Sequence, residues 1–97
     1  MTTDLRSKYQ ELASSELSKN YSFFLEGHSY AIDSSSMDHL ISLGVSVMLT
    51  RDKLLPGGSF VQAVVRNDLG DAIGRADKIA FIGLKYFIHL RDFIHIS

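Results

Sequence analysis

The segment Pro56-Gly57-Gly58-Ser59-Phe60 is the part of this chain whose residue types and spacing come nearest to chemistry. Two glycines just ahead of a helix let backbone N–H groups approach an anion at the positive end of the helix dipole, so Gly57, Gly58 and Ser59 can hold a phosphate or carboxylate. No Walker-type lysine follows the glycines, so nucleotide hydrolysis is not indicated. The structural alternative is a tight interhelical turn in which Ser59 caps the following helix. Downstream, Arg66, Asn67, Asp68, Arg75 and Asp77 form a polar block inside an apolar region. Arg66 and Arg75 can contact an anion or a partner there, with Asn67 orienting it. Equally, Asn67 and Asp68 can bond backbone groups at a joint, and Arg75 can pair with Asp71 or Asp77.

Other chemistries find less support. The histidines, His28, His39, His89 and His95, lack the four-residue spacing of paired helical metal ligands, and no metal or other cofactor is expected. His89 and Asp92, three apart, read as a local hydrogen bond. No serine sits in a nucleophile elbow, so no catalytic residue is assigned and the chain is expected not to be an enzyme. Zero cysteines remove thiolate catalysis, disulfides and sulfur-ligated zinc. With Lys+Arg at 10 against Asp+Glu at 11, the chain lacks the positive excess needed for general nucleic-acid binding. The amino-terminal segment has no signal-peptide core, and the most apolar stretch, Ile79 to Ile96, is broken by Lys85, His89, Arg91, Asp92 and His95, so neither secretion nor a membrane span is expected.

At 97 residues and 45% apolar content, the elements that position these groups belong to one domain, 1–97. Leu5, Tyr9, Leu12, Ala13 and Leu17 recur at helical spacing and predict a peripheral helix over 1–20. Tyr21, Phe23 and Leu25 alternate, Glu26-Gly27-His28 offers a turn, and Tyr30 and Ile32 alternate again. This predicts a short β-hairpin over 21–33, with an irregular aromatic loop as the alternative. A helix beginning near Ser36, capped by Ser35, carries Met37, Leu40, Ile41, Val45, Met48 and Leu49, and Leu54-Leu55-Pro56-Gly57-Gly58 stops it. A third helix follows Ser59. Asn67 to Asp71 reads as a joint, because Asp68 and Asp71 have capping-box character and Gly70 weakens a helix, or else as the middle of one long helix. The fold class is therefore mainly α: a small bundle of three to four helices, with the hairpin near 21–33 and a helical core over 36–97.

On a helical wheel advancing about 100° per residue, the apolar side chains from Ile79 onward fall nearly all round the cylinder. A helix apolar on every side is normally enclosed. Four helices cannot enclose it, so the excess, Phe81, Leu84, Phe87, Ile88, Phe93 and Ile94, is expected to form an oligomer interface, most simply in a two-fold dimer. The alternatives are a central core helix of a monomer and a membrane-surface helix, the latter disfavoured by the narrow, weakly basic polar strip.

The stretch PGGSFVQAVVRNDLGDAIGRAD, ending at Asp77, resembles a family of small uncharacterised proteins encoded by tailed phages and prophages. The shared pattern is a proline-glycine turn, a phenylalanine, an AV-containing helix, Asn-Asp-Leu and Arg-Ala-Asp; GHSYAIDSSSMDHL also resembles the piece ahead of it. The resemblance covers about half the chain. It departs after Asp77, where relatives continue with a more polar helix and a proline- and cysteine-containing tail, so any function of that tail is expected to be missing. The resemblance implies an accessory protein acting in the bacterial cytoplasm and names no activity, ligand or catalytic residue. Together these observations predict a non-enzymatic accessory protein that binds a host protein, as an anti-defence inhibitor, on a homo-oligomeric helical scaffold that exposes the 56–68 turn and its neighbours, with Arg66, Asn67, Asp68 and Arg75 among the contacts. The alternative is a small-ligand binder that sequesters a phosphorylated nucleotide signal between Gly57, Gly58, Ser59 and Arg66 or Arg75.

Overall fold

The helix that the others enclose is α3 (Ser34–Arg51). In this computed structural model, which describes residues 3–25 and 32–95, α3 packs against α1 (Thr3–Lys19), α4 (Ser59–Val65), α6 (Lys78–Ile82) and α7 (Leu84–Phe93). Two short helices, α2 (Tyr21–Leu25) and α5 (Leu69–Arg75), complete the described structure, which contains no strand. Leu40, Val45, Val47, Met48 and Leu49 of α3 are buried and form one core with Tyr9, Ala13 and Leu17 of α1 and Tyr86, Phe87 and Leu90 of α7. The first helix, expected at the periphery, thus contributes directly to the core.

The hairpin expected near 21–33 is not found. Residues 21–25 are helical, Ile32 and Asp33 lie outside any strand, and the expected turn and Tyr30 fall outside the described residues. A strand would point Tyr21, Phe23 and Leu25 to one side. Instead Phe23 is exposed while Phe24 and Leu25 are buried and Tyr21 is half-buried, which is the i, i+3, i+4 spacing of a helical face. A lone two-stranded hairpin has marginal stability, whereas one helical turn bonds its own backbone, as from Phe24 N–H to the Asn20 carbonyl at 3.0 Å. Phe24 then packs its ring against Tyr86 at 5.5 Å and His89 at 5.0 Å.

Two caps also differ from expectation. Asp33, not Ser35, caps α3, accepting the Ser36 N–H at 2.8 Å, so the helix begins two residues earlier than expected, at Ser34. Gly58, not Ser59, is the N-cap of α4, with no side-chain cap bond. At the Asn67 joint the chain does break: Asn67 adopts φ 64°, the Asp68 N–H bonds the Ala63 carbonyl at 2.9 Å, and the Asn67 N–H bonds Val64 at 3.1 Å. This is the double bond of a Schellman turn. Asp68 then caps α5 by accepting the Asp71 N–H at 3.2 Å.

The carboxyl-terminal helix is not continuous. Asp77 caps α6 through the Ala80 N–H, and Gly83 ends α6 and starts α7. A Cβ on Gly83 would lie 2.5 Å from Leu40 Cδ2 and 3.0 Å from Phe87 Cζ, so the joint presses directly onto α3. The single wheel drawn from Ile79 onward therefore runs across two helices joined at Gly83. Gly44 in α3 serves the same approach from the other side: a Cβ there would lie 2.7 Å from Leu90 Cδ1 and 3.0 Å from the Tyr86 hydroxyl. The space it leaves lets Tyr86 reach past α3 and donate its hydroxyl to the Ala13 carbonyl of α1 at 2.7 Å. Burial pushes the Tyr86 phenol well above its ordinary value, as befits a donor locked in the core.

Candidate functional site

The glycine turn is built for contact with its own chain. A Cβ on Gly57 would lie 2.6 Å from Val61 Cγ1 and 2.8 Å from Thr50 Oγ1, so the backbone here is pressed between the end of α3 and the first turn of α4. The Gln62 side chain donates to the Gly57 carbonyl at 2.7 Å. Gly58 faces open space, with nothing within 4 Å of a would-be Cβ, and Ser59 is exposed. The arrangement is that of a tight interhelical turn clasped by Gln62.

The polar block gathers around one carboxylate. Asp71 accepts from Arg75 Nε at 2.9 Å and from Arg66 Nη2, while Asp68 lies 3.7 Å from Arg66. Arg75, foremost, and Arg66 hold the Asp71 carboxyl below its usual range. Both guanidinium groups beside the joint are thereby neutralised within the chain. Asn67 is drawn elsewhere: its Oδ1 accepts from Arg91 Nη1 at 3.1 Å, and the same nitrogen donates to the Val64 carbonyl at 2.7 Å.

Arg91 therefore closes the carboxyl end of α4, and Arg51 does the same for α7, donating from Nη1 to the carbonyls of Leu90, Arg91 and Ile94. Each arginine is steadied by the aspartate that follows it. Arg51 forks onto Asp52, with both bonds at 2.8 Å, and Arg91 onto Asp92 at 2.7 and 2.9 Å. Tyr9 of α1 donates to Asp52 at 2.6 Å and joins a third helix to the first of these forks. Sequence reading missed both; the available signal was the recurrence of Arg-Asp where a helix ends, at 51–52 and 91–92.

The histidines form separate pairs. His89 Nε2 lies 2.9 Å from Glu16 Oε1, linking α7 to α1 in place of the expected bond to Asp92, and His39 Nε2 lies 3.3 Å from Asp77. His95 is exposed, and His28 falls outside the described residues. Among the described residues no three metal-ligating side chains come together, and no helix is long and apolar enough to cross a membrane. An open groove of about 910 Å³ between α1 and α3 is lined mainly by polar groups, including Arg6, Ser7, Ser14, Asp38 and Ser42.

The residues expected at an oligomer interface are scattered by the break at Gly83. Phe87 is fully buried in the chain's own core and cannot serve; its ring packs on Phe60 at 5.8 Å. Leu84, Ile88 and Ile94 are half-buried, while Phe81 and Phe93 are 52% and 70% exposed. Phe93 belongs instead to an aromatic run that sequence reading did not assemble. Its ring packs tilted against His89 at 5.6 Å between centroids, His89 tilted against Phe24 at 5.0 Å, and Phe24 edge-to-face against Phe23 at 5.6 Å. The far end, Phe23, is 61% exposed and carries the Lys85 ammonium 4.4 Å above its ring. No family model, curated protein or solved structure matches the chain.

Proposed function

We propose that this chain is a non-enzymatic accessory protein of a phage or prophage that works in the bacterial cytoplasm by binding a host protein, as an inhibitor of host defence, on a homo-oligomeric helical scaffold. The observation that carries the binding role is the aromatic run from Phe23 through Phe24 and His89 to Phe93, which ends in two large exposed rings. Aromatic side chains, Phe among them, are enriched at protein interfaces, where a few residues carry much of the binding energy. Here buried Phe24 and the Glu16–His89 pair fix the face without the help of a partner. The resemblance of residues 56–77 to phage-encoded proteins supports the cellular setting. The alternative, a binder of phosphorylated nucleotides, requires Arg66 and Arg75 to exchange Asp71 for a phosphate.

The test is affinity capture from bacterial lysate with the intact chain, alongside Phe23→Ser/Phe93→Ser and Arg66→Ala/Arg75→Ala. The expected result is a defined host protein retained by the intact chain and by the arginine variant but lost by the phenylalanine variant. Loss with the arginine variant alone would return the site to the Asn67 joint.

A further inference from the structure

We draw no further inference here: the strongest candidate, the open groove of about 910 Å³ between α1 and α3, is lined by exposed polar groups such as Arg6, Ser7, Asp38 and Ser42, and nothing in the structure shows what would cover them.

Discussion

Arg51, the last residue of α3, donates its guanidinium to the Leu90 carbonyl at 2.8 Å, across 39 residues of sequence. The carbonyls at the end of a helix have no partner within it, and a cation held there satisfies them and meets the negative end of the dipole. Asp52 accepts two bonds from the guanidinium and holds it in place, and only 12% of the Arg51 side chain is exposed. Removing Arg51 therefore leaves several carbonyls of α7 and the Asp52 carboxylate without their cation.

Arg51→Ala is expected to lower the unfolding free energy by about 2–3 kcal/mol, the cost of losing charge-assisted bonds at a partly buried site. Arg66→Ala, whose side chain is half exposed beside Asp71, is expected to cost no more than about 0.5 kcal/mol. Urea denaturation of the two variants side by side checks both, and equal losses would contradict the assignment.

Gly44→Ala sets two effects against each other. Alanine favours a helix interior by up to about 1 kcal/mol, but its Cβ would meet Leu90 Cδ1 at 2.7 Å and crowd the Tyr86 hydroxyl. The clash is expected to win, with a net loss of about 1–2 kcal/mol and weaker protection of the Ala13–Tyr86 contact. Equilibrium unfolding reads the sign; a gain in stability would mean that α3 and α7 separate more easily than the contact implies.

Lys53→Gly should do the reverse. Lys53 sits at φ 62°, past the end of α3, where the Leu54 N–H bonds the Leu49 carbonyl at 2.9 Å. Left-handed backbone strains any residue with a Cβ, and the Lys53 side chain is exposed. A rise in stability of about 1 kcal/mol is expected, measurable as a higher denaturation midpoint with an unchanged slope.

Stability should fall at both ends of the pH scale for identifiable reasons. The hydrogen bond with His89 holds Glu16 below its ordinary value of 4.5, and Arg51, followed by Tyr9, holds Asp52 below 3.8. A depressed carboxyl contributes stability above its unfolded value and loses it as pH falls through the folded one, so the acid limb begins below about pH 4.5. Burial, with the Asp52 bond and charge adding to it, pushes Tyr9 from 10.0 up to about 12. A raised phenol contributes fully below 10 and loses its contribution between 10 and 12. Thermal unfolding across pH should therefore show Glu16→Gln flattening the acid limb and Tyr9→Phe the alkaline one.

Some signals that span three or four residues were legible, while the Asp33 cap of α3, of the same span, was misread as Ser35. Asp68 and Asp71 carry the capping of α5 in their spacing, and the Asn67 joint follows from Asn-Asp-Leu-Gly because each partner is a near neighbour. The stop read at Leu54 to Gly58 comes too late: α3 already ends at Arg51, where Lys53 takes φ 62° and the Leu54 N–H bonds the Leu49 carbonyl. Tyr21–Leu25 was misread because five residues satisfy a two-residue and a helical period almost equally; the choice was made by the pocket that Tyr86 and His89 offer to Phe24. The wheel over Ile79–Ile96 failed at Gly83, whose role depends on Leu40, more than forty positions earlier in the chain.

From the amino-acid sequence alone came the helical class, the joint at Asn67, the near balance of charge and the lack of thiol chemistry, because backbone propensity and composition are properties of short segments. Tertiary structure decided which apolar residues are covered and which arginines are occupied. Glu16 meets His89 across 73 residues, Arg91 meets Val64 across 27, and Phe23 and Phe93 are linked through Phe24 and His89 only when α2 lies against α7. Those pairings depend on how helices cross, and the crossing is set by where glycines let backbones touch, which no periodicity encodes.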